Sequence, residues 1–113
     1  MKIIDTEITM QELQKMAQDM FGKMVKAVVD IEKEIMAVDA ELHADEEAYL
    51  LEHGSEQKNL WGINIYPEIS GNDFIEFDSM INLRPAQGNR SRGVEDAKTQ
   101  EKIRLIVSTL VTR

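Results

Sequence analysis

The sequence predicts an α+β fold: a largely antiparallel sheet with helices packed mainly on one of its faces, in the order β-α-β-β-α-β-β-α. Three observations carry this. Period-two runs come in hairpin-like pairs, which makes antiparallel neighbours. Three stretches repeat apolar residues at helical spacing on one side only, and such helices need an apolar sheet face to cover. No repeat, low-complexity tract or Pro/Ser-rich linker interrupts the 113 residues, so residues 1–113 read as a single domain.

In chain order, "KII" at Lys2–Ile4 is a short strand candidate. Thr9 and Glu12 form a capping box, and Ile8 and Leu13 stand at the staple positions. Leu13, Met16, Ala17, Met20 and Phe21 then mark a helix that Gly22 ends. Val25, Ala27, Val29 and Ile31 alternate along a strand, and "IMAVDAEL" returns antiparallel through a turn at Glu32 to Glu34 that carries neither Gly nor Asn. "ADEEAYLLEHGS" is a short helix, with three acids at its positive end and His53 near its negative end before the Gly54 stop. "LWGINIYP" sets Trp61, Ile63 and Ile65 on one strand face. The alternation of Ile75, Phe77, Ser79, Ile81 and Leu83 predicts a long strand from Asp73 to Arg84, bent or bulged at Ser79. Ile103, Ile106, Val107 and Leu110 place the last helix near Asp96–Val111, capped by Asp96 or Gly93. The second face of the sheet would display Asn64, Glu76, Asp78, Asn82 and Arg84 as the polar floor of a site.

Composition narrows the function. Apolar residues make up 42% and charged residues 30%, which suits a soluble globular chain. With no cysteine, disulfides, thiolate metal sites and cysteine nucleophiles are excluded, which fits a reducing, cytoplasmic setting. The start lacks a signal peptide's apolar region and no apolar run is long enough to span a membrane. Acids number 21 against 13 Lys plus Arg, a field that repels duplex nucleic acid. The charge is uneven: ten acids and one Lys lie between Asp30 and Glu56, whereas Ser79–Gly93 holds Arg84, Arg90 and Arg92 and no acid.

That basic stretch, "RPAQGNRSRGVED", is the first candidate site. Gly88 and Gly93 have the glycine spacing of a P-loop, but Val94 and Glu95 replace its Lys and Ser or Thr. Ser91 lies in R-S-R rather than in a nucleophile elbow. What remains is a set of anion-binding elements, Arg84, Asn89, Arg90, Ser91 and Arg92, at the positive end of a helix. The competing reading is that the arginines pair with the acidic half or are solvated. The second candidate is "DAELHADEE". His43, amid five acids there, could ligate a hard or borderline divalent ion or be a general acid or base beside Asp45 or Asp78, or the acids could serve only the helix dipole, with His43 in the cap region. No motif implies a cofactor or a metal site. The methionines Met10, Met16, Met20 and Met24 and the lone Trp61 read as packing.

Taken together, "ELHADEE", "LWGINIYP" and "INLRPAQGNRSRGVED" resemble a family of small uncharacterised prokaryotic proteins of about this length, along nearly the whole chain. The resemblance implies a bacterial or archaeal cytoplasm and carries over no catalytic residue. It also marks a departure, since the family has Gly where this chain has Glu34. The residues point to binding of a small anionic ligand, a class that includes phosphate-bearing ones, at the Arg84–Gly93 loop and the polar sheet face, with or without catalysis. The alternative is a protein–protein interaction or self-assembly module, such as a homo-oligomer, that sets the basic loop against an acidic surface.

Overall fold

The computed structural model describes all 113 residues. Five antiparallel strands form one sheet in the order β1 (Lys2–Ile4), β4 (Ile35–Val38), β3 (Val25–Asp30), β5 (Leu60–Ile65), β6 (Ile75–Glu76). A two-residue parallel pair, β2 (Ile8–Thr9) with β7 (Val111–Thr112), ties the start of the first helix to the end of the last. The helices are α1 (Met10–Asp19), α2 (His43–Glu52) and α3 (Ala97–Leu110).

The caps are where side-chain chemistry places them. The Thr9 hydroxyl accepts from the Glu12 amide at 3.1 Å, and Gly22 leaves α1 at φ 93°. Asp96 caps α3 by accepting from both the amide and the hydroxyl of Thr99, which holds its carboxyl below the usual carboxylate range. Asp30 organises the β3–β4 turn. One of its carboxylate oxygens accepts from the Glu32 and Lys33 amides and the other from the Ser55 hydroxyl at 2.6 Å, which also anchors the chain leaving α2. Glu34 closes that turn at φ 59°, a left-handed conformation that favours glycine.

Alternation along the strands separates two cores. Val25, Ala27, Val29, Met36, Val38, Trp61, Ile63 and Ile65 face α1 and α3 within a cluster of eighteen buried side chains, whereas Val28, Ala37 and Leu60 face the other way and meet Leu50 of α2 in a cluster of four. Most of the apolar burial therefore lies on the α1/α3 face, which carries two of the three helices. The second face is not the open polar floor expected from the sequence. α2 lies over part of it, Asn64 and Asn82 are buried, and the Arg84 guanidinium is spent on the Gln57 and Leu60 carbonyls.

The expected long strand from Asp73 to Arg84 is also corrected, because pairing stops after Glu76. From there a side chain replaces the ladder: Asn82 Oδ1 accepts from the Gly62 amide at 2.8 Å while its Nδ2 donates to the Gly62 carbonyl at 2.9 Å. The amide group thus gives β5 the bonds a neighbouring strand would give. Met80–Asn82 form a 3-10 turn started by Ser79, whose hydroxyl accepts from the Ile81 amide. The turn comes so close to β5 that a Cβ on Gly62 would be 2.6 Å from both Cβ and Oγ of Ser79.

Two substitutions test these backbone constraints by urea unfolding. Gly62→Ala forces Ser79 and Asn82 off β5 and should destabilise by about 1–3 kcal/mol, the usual cost of overpacking. Glu34→Gly relieves the left-handed turn and should stabilise by about 0.5–1 kcal/mol, with an unchanged denaturant slope.

Candidate functional site

The segment after β6 is held as a rigid unit by two buried asparagines. Besides bonding Gly62, Asn82 Nδ2 donates to the Arg92 carbonyl at 2.9 Å. Asn89 Nδ2 donates to the carbonyls of Asn82, Ser91 and Gly93, and its Oδ1 accepts from the Glu95 amide. Arg84 and Asn89 also exchange two backbone hydrogen bonds. Gly88 makes the turn between them at φ 82°.

This scaffold sends the three arginines of the loop in different directions. Arg84 folds inward: its Nη1 donates to the Gln57 carbonyl at 2.6 Å, its Nη2 donates to the Leu60 carbonyl, and its guanidinium lies 4.1 Å from the Trp61 ring centre. Burial lowers its pKa from the ordinary value. Its donors grip the turn that leads into β5 and the first carbonyl of that strand, which makes it a clamp on the strand's start. Arg90 is exposed, with its amide on Glu95. Arg92 donates from Nε to Asp78 at 2.7 Å, in an ion pair with both side chains about half exposed. Asn89 is spent on the loop itself, and the exposed Ser91 hydroxyl accepts from the Gly93 amide.

Only Arg92 reaches the other sequence candidate. A cleft of about 180 Å³ opens between the first turn of α2 and residues 79–92, lined by Lys26, His43, Ser79 and Arg92 with Leu42 and Met80 at its apolar rim. His43 is the first residue of α2 and is buried, with Nε2 2.8 Å from the Ile63 carbonyl. A carbonyl only accepts, so Nε2 carries the proton and Nδ1 is left as the acceptor of the neutral ring. Desolvation lowers the His43 pKa; the Ile63 carbonyl opposes this, Lys26 and Arg92 add to it, and Asp78 opposes it. The imidazole is therefore neutral at pH 7. Asp45, by contrast, lies exposed on the outer side of α2, away from the ring. Leu42 offers no oxygen to cap α2, so no side chain covers the positive end of the helix dipole.

One group in this region was not singled out by sequence. Glu46, one turn beyond His43, is fully buried and neither carboxyl oxygen makes a well-aligned hydrogen bond. Burial pushes its pKa up to about 10, against smaller opposing effects of the Ala40 amide and Lys26. The signal was present in the spacing: His43, Glu46 and Leu50 share one helical face, and Leu50 must face the sheet. Glu46 is therefore a neutral acid within the protein, and no three His, Asp or Glu side chains gather as a metal-ligand group. No helix is long and apolar enough to cross a membrane.

A model of the family described as "Protein of unknown function (DUF5674)" matches residues 2–110. The chain belongs to this family. The match covers nearly the whole chain, as the resemblance implied, and the description assigns the family no activity. No curated protein and no solved structure matches the chain.

The raised pKa of Glu46 fixes a sign. Between its ordinary value of 4.5 and about 10 the unfolded chain has lost a proton that the folded chain keeps. The contribution is complete below 4.5 and is lost as pH rises toward 10. His43 acts in the opposite sense, costing stability as pH falls below 6.5. Melting curves from pH 6 to pH 10 should show falling Tm, and Glu46→Gln should flatten that decline while leaving the acid side unchanged.

Proposed function

We propose that the cleft between α2 and the 79–92 segment binds a small oxyanion that also carries a hydroxyl, such as hydrogen phosphate or a singly protonated phosphate monoester. The observation that supports this is the meeting of Lys26, Arg92 and neutral His43 around one opening. Lys26 and Arg92 supply charge, and Asp78 occupies only the Nε side of Arg92, which leaves its terminal donors for a ligand. The Nδ1 atom of His43 accepts, so it calls for an O–H rather than a bare oxyanion. The uncapped start of α2 adds the positive end of its dipole to the same opening. His43 is also the group through which catalysis would run, as a base toward that hydroxyl, with Asp78 acting through Arg92. Arg84, Asn89 and Ser91 belong to the support of the loop in this reading, and Arg90 lies outside the cleft. The cytoplasmic setting is part of the same proposal.

Thermal melts and chemical-shift titrations with phosphate and glycerol phosphate test it. Saturable binding should weaken at least about tenfold in Lys26→Ala and in Arg92→Ala, the loss expected for one charge-assisted contact. Arg90→Ala should bind as the parent does. Absence of saturable binding, together with a salt-sensitive dimer lost in Arg90→Ala, would instead support assembly through the basic loop.

A further inference from the structure

A second cavity, of about 280 Å³, lies on the other side of the molecule, between α3, the 3-10 turn Gly71–Phe74 and the β2–β7 pair. Its volume is near the lower end of ligand pockets, roughly 300–1,000 Å³, which limits an occupant to a small molecule. Met10, Phe74, Val107 and Val111 give it apolar walls, and Arg104 and Arg113 are the only charged side chains that line it. In a chain with 21 acids, no Asp or Glu lines this cavity, and neither arginine takes part in an ion pair. Arg104 is not a loose surface side chain. Its Nη1 donates to the Asn72 carbonyl at 3.2 Å and its guanidinium lies 5.0 Å from the Phe77 ring centre. Those contacts orient the planar group and use one of its five N–H donors.

Two guanidinium groups with no acidic side chain beside them, set against apolar walls, call for a ligand with both characters. A bare inorganic anion would leave the walls wet, and a neutral apolar molecule would leave two cations partly desolvated without a partner. We infer that this cavity binds a small monocarboxylate with a hydrocarbon or aromatic body, the carboxylate on Arg104 and Arg113 and the body against Phe74 and Val107. The site is separate from the His43 cleft: the two share no lining residue.

Titration of the full chain with hexanoate and with benzoate, followed by amide and methyl chemical shifts, tests this. Both should give saturable shifts centred on Phe74, Val107 and Val111. Acetate, which lacks the body, and hexylamine, which reverses the charge, should each bind at least about tenfold more weakly. Arg104→Gln should weaken hexanoate by a similar factor, and the exposed Arg113→Gln provides a second variant whose fold is not at risk. Ser108→Trp, which fills the cavity from the exposed side of α3, should abolish the shifts, while Lys26→Ala and Arg92→Ala should leave them unchanged. Absence of saturable shifts with either carboxylate would overturn the inference. So would equal binding of acetate and hexanoate, or unchanged hexanoate binding in both arginine variants.

Discussion

The pairing of the Asn82 amide with both backbone groups of Gly62 is the constraint on which the rest of this structure depends. β5 is a central strand paired with β3 along its length, but its other neighbour, β6, meets it only at Asn64 and Ile65. An unpaired buried amide or carbonyl costs about 1–3 kcal/mol, so the rest of this buried strand's free edge must find partners. Asn82 supplies them at Gly62, and Arg84 supplies one at the Leu60 carbonyl. Because the bonds come from side chains, the backbone that carries them is free to turn instead of running on as a strand. That freedom lets residues 79–92 curl back beside α2 and form one wall of the His43 cleft.

The elements read most readily from sequence were those whose signals are local. The Thr9 cap, the Asp96 cap and the glycine after each of the first two helices depend on residues within one turn of each other, and all are in place. The alternating faces of β3, β4 and β5 were legible for the same reason. The failure came at Asp73–Arg84, where period-two spacing was real but had a different cause: Ile75 packs in the main core, whereas Ile81 packs beside the α2 cluster from a 3-10 turn. Gly62 held the missing information. A glycine inside an otherwise apolar strand marks a close approach, and here the approaching group is Ser79.

The candidate site was legible in part and for similar reasons. His43 and Arg92 were both named from the sequence and share a cleft, but Lys26 enters it from β3, and strand periodicity says nothing about which loop covers a strand end. Arg84, Arg90 and Arg92 were grouped because they are close in the chain. Closeness in sequence within a turn implies divergence, since Asn89 bends the backbone tightly enough to aim neighbouring side chains in different directions. Helical geometry alone keeps Asp45 from His43, two residues away and on the opposite side of α2.

The buried carboxyl of Glu46 also changes what the formal charge means. Counting every acid as ionised gives −8, but a group held protonated up to about pH 10 leaves the native protein one charge less negative at neutral pH. Unfolding at pH 7 therefore releases a proton to the buffer, and the heat of unfolding measured in a calorimeter contains the protonation enthalpy of whichever buffer accepts it. The same protein melted in phosphate and in Tris should give two different enthalpies, separated by one proton's worth of buffer ionisation.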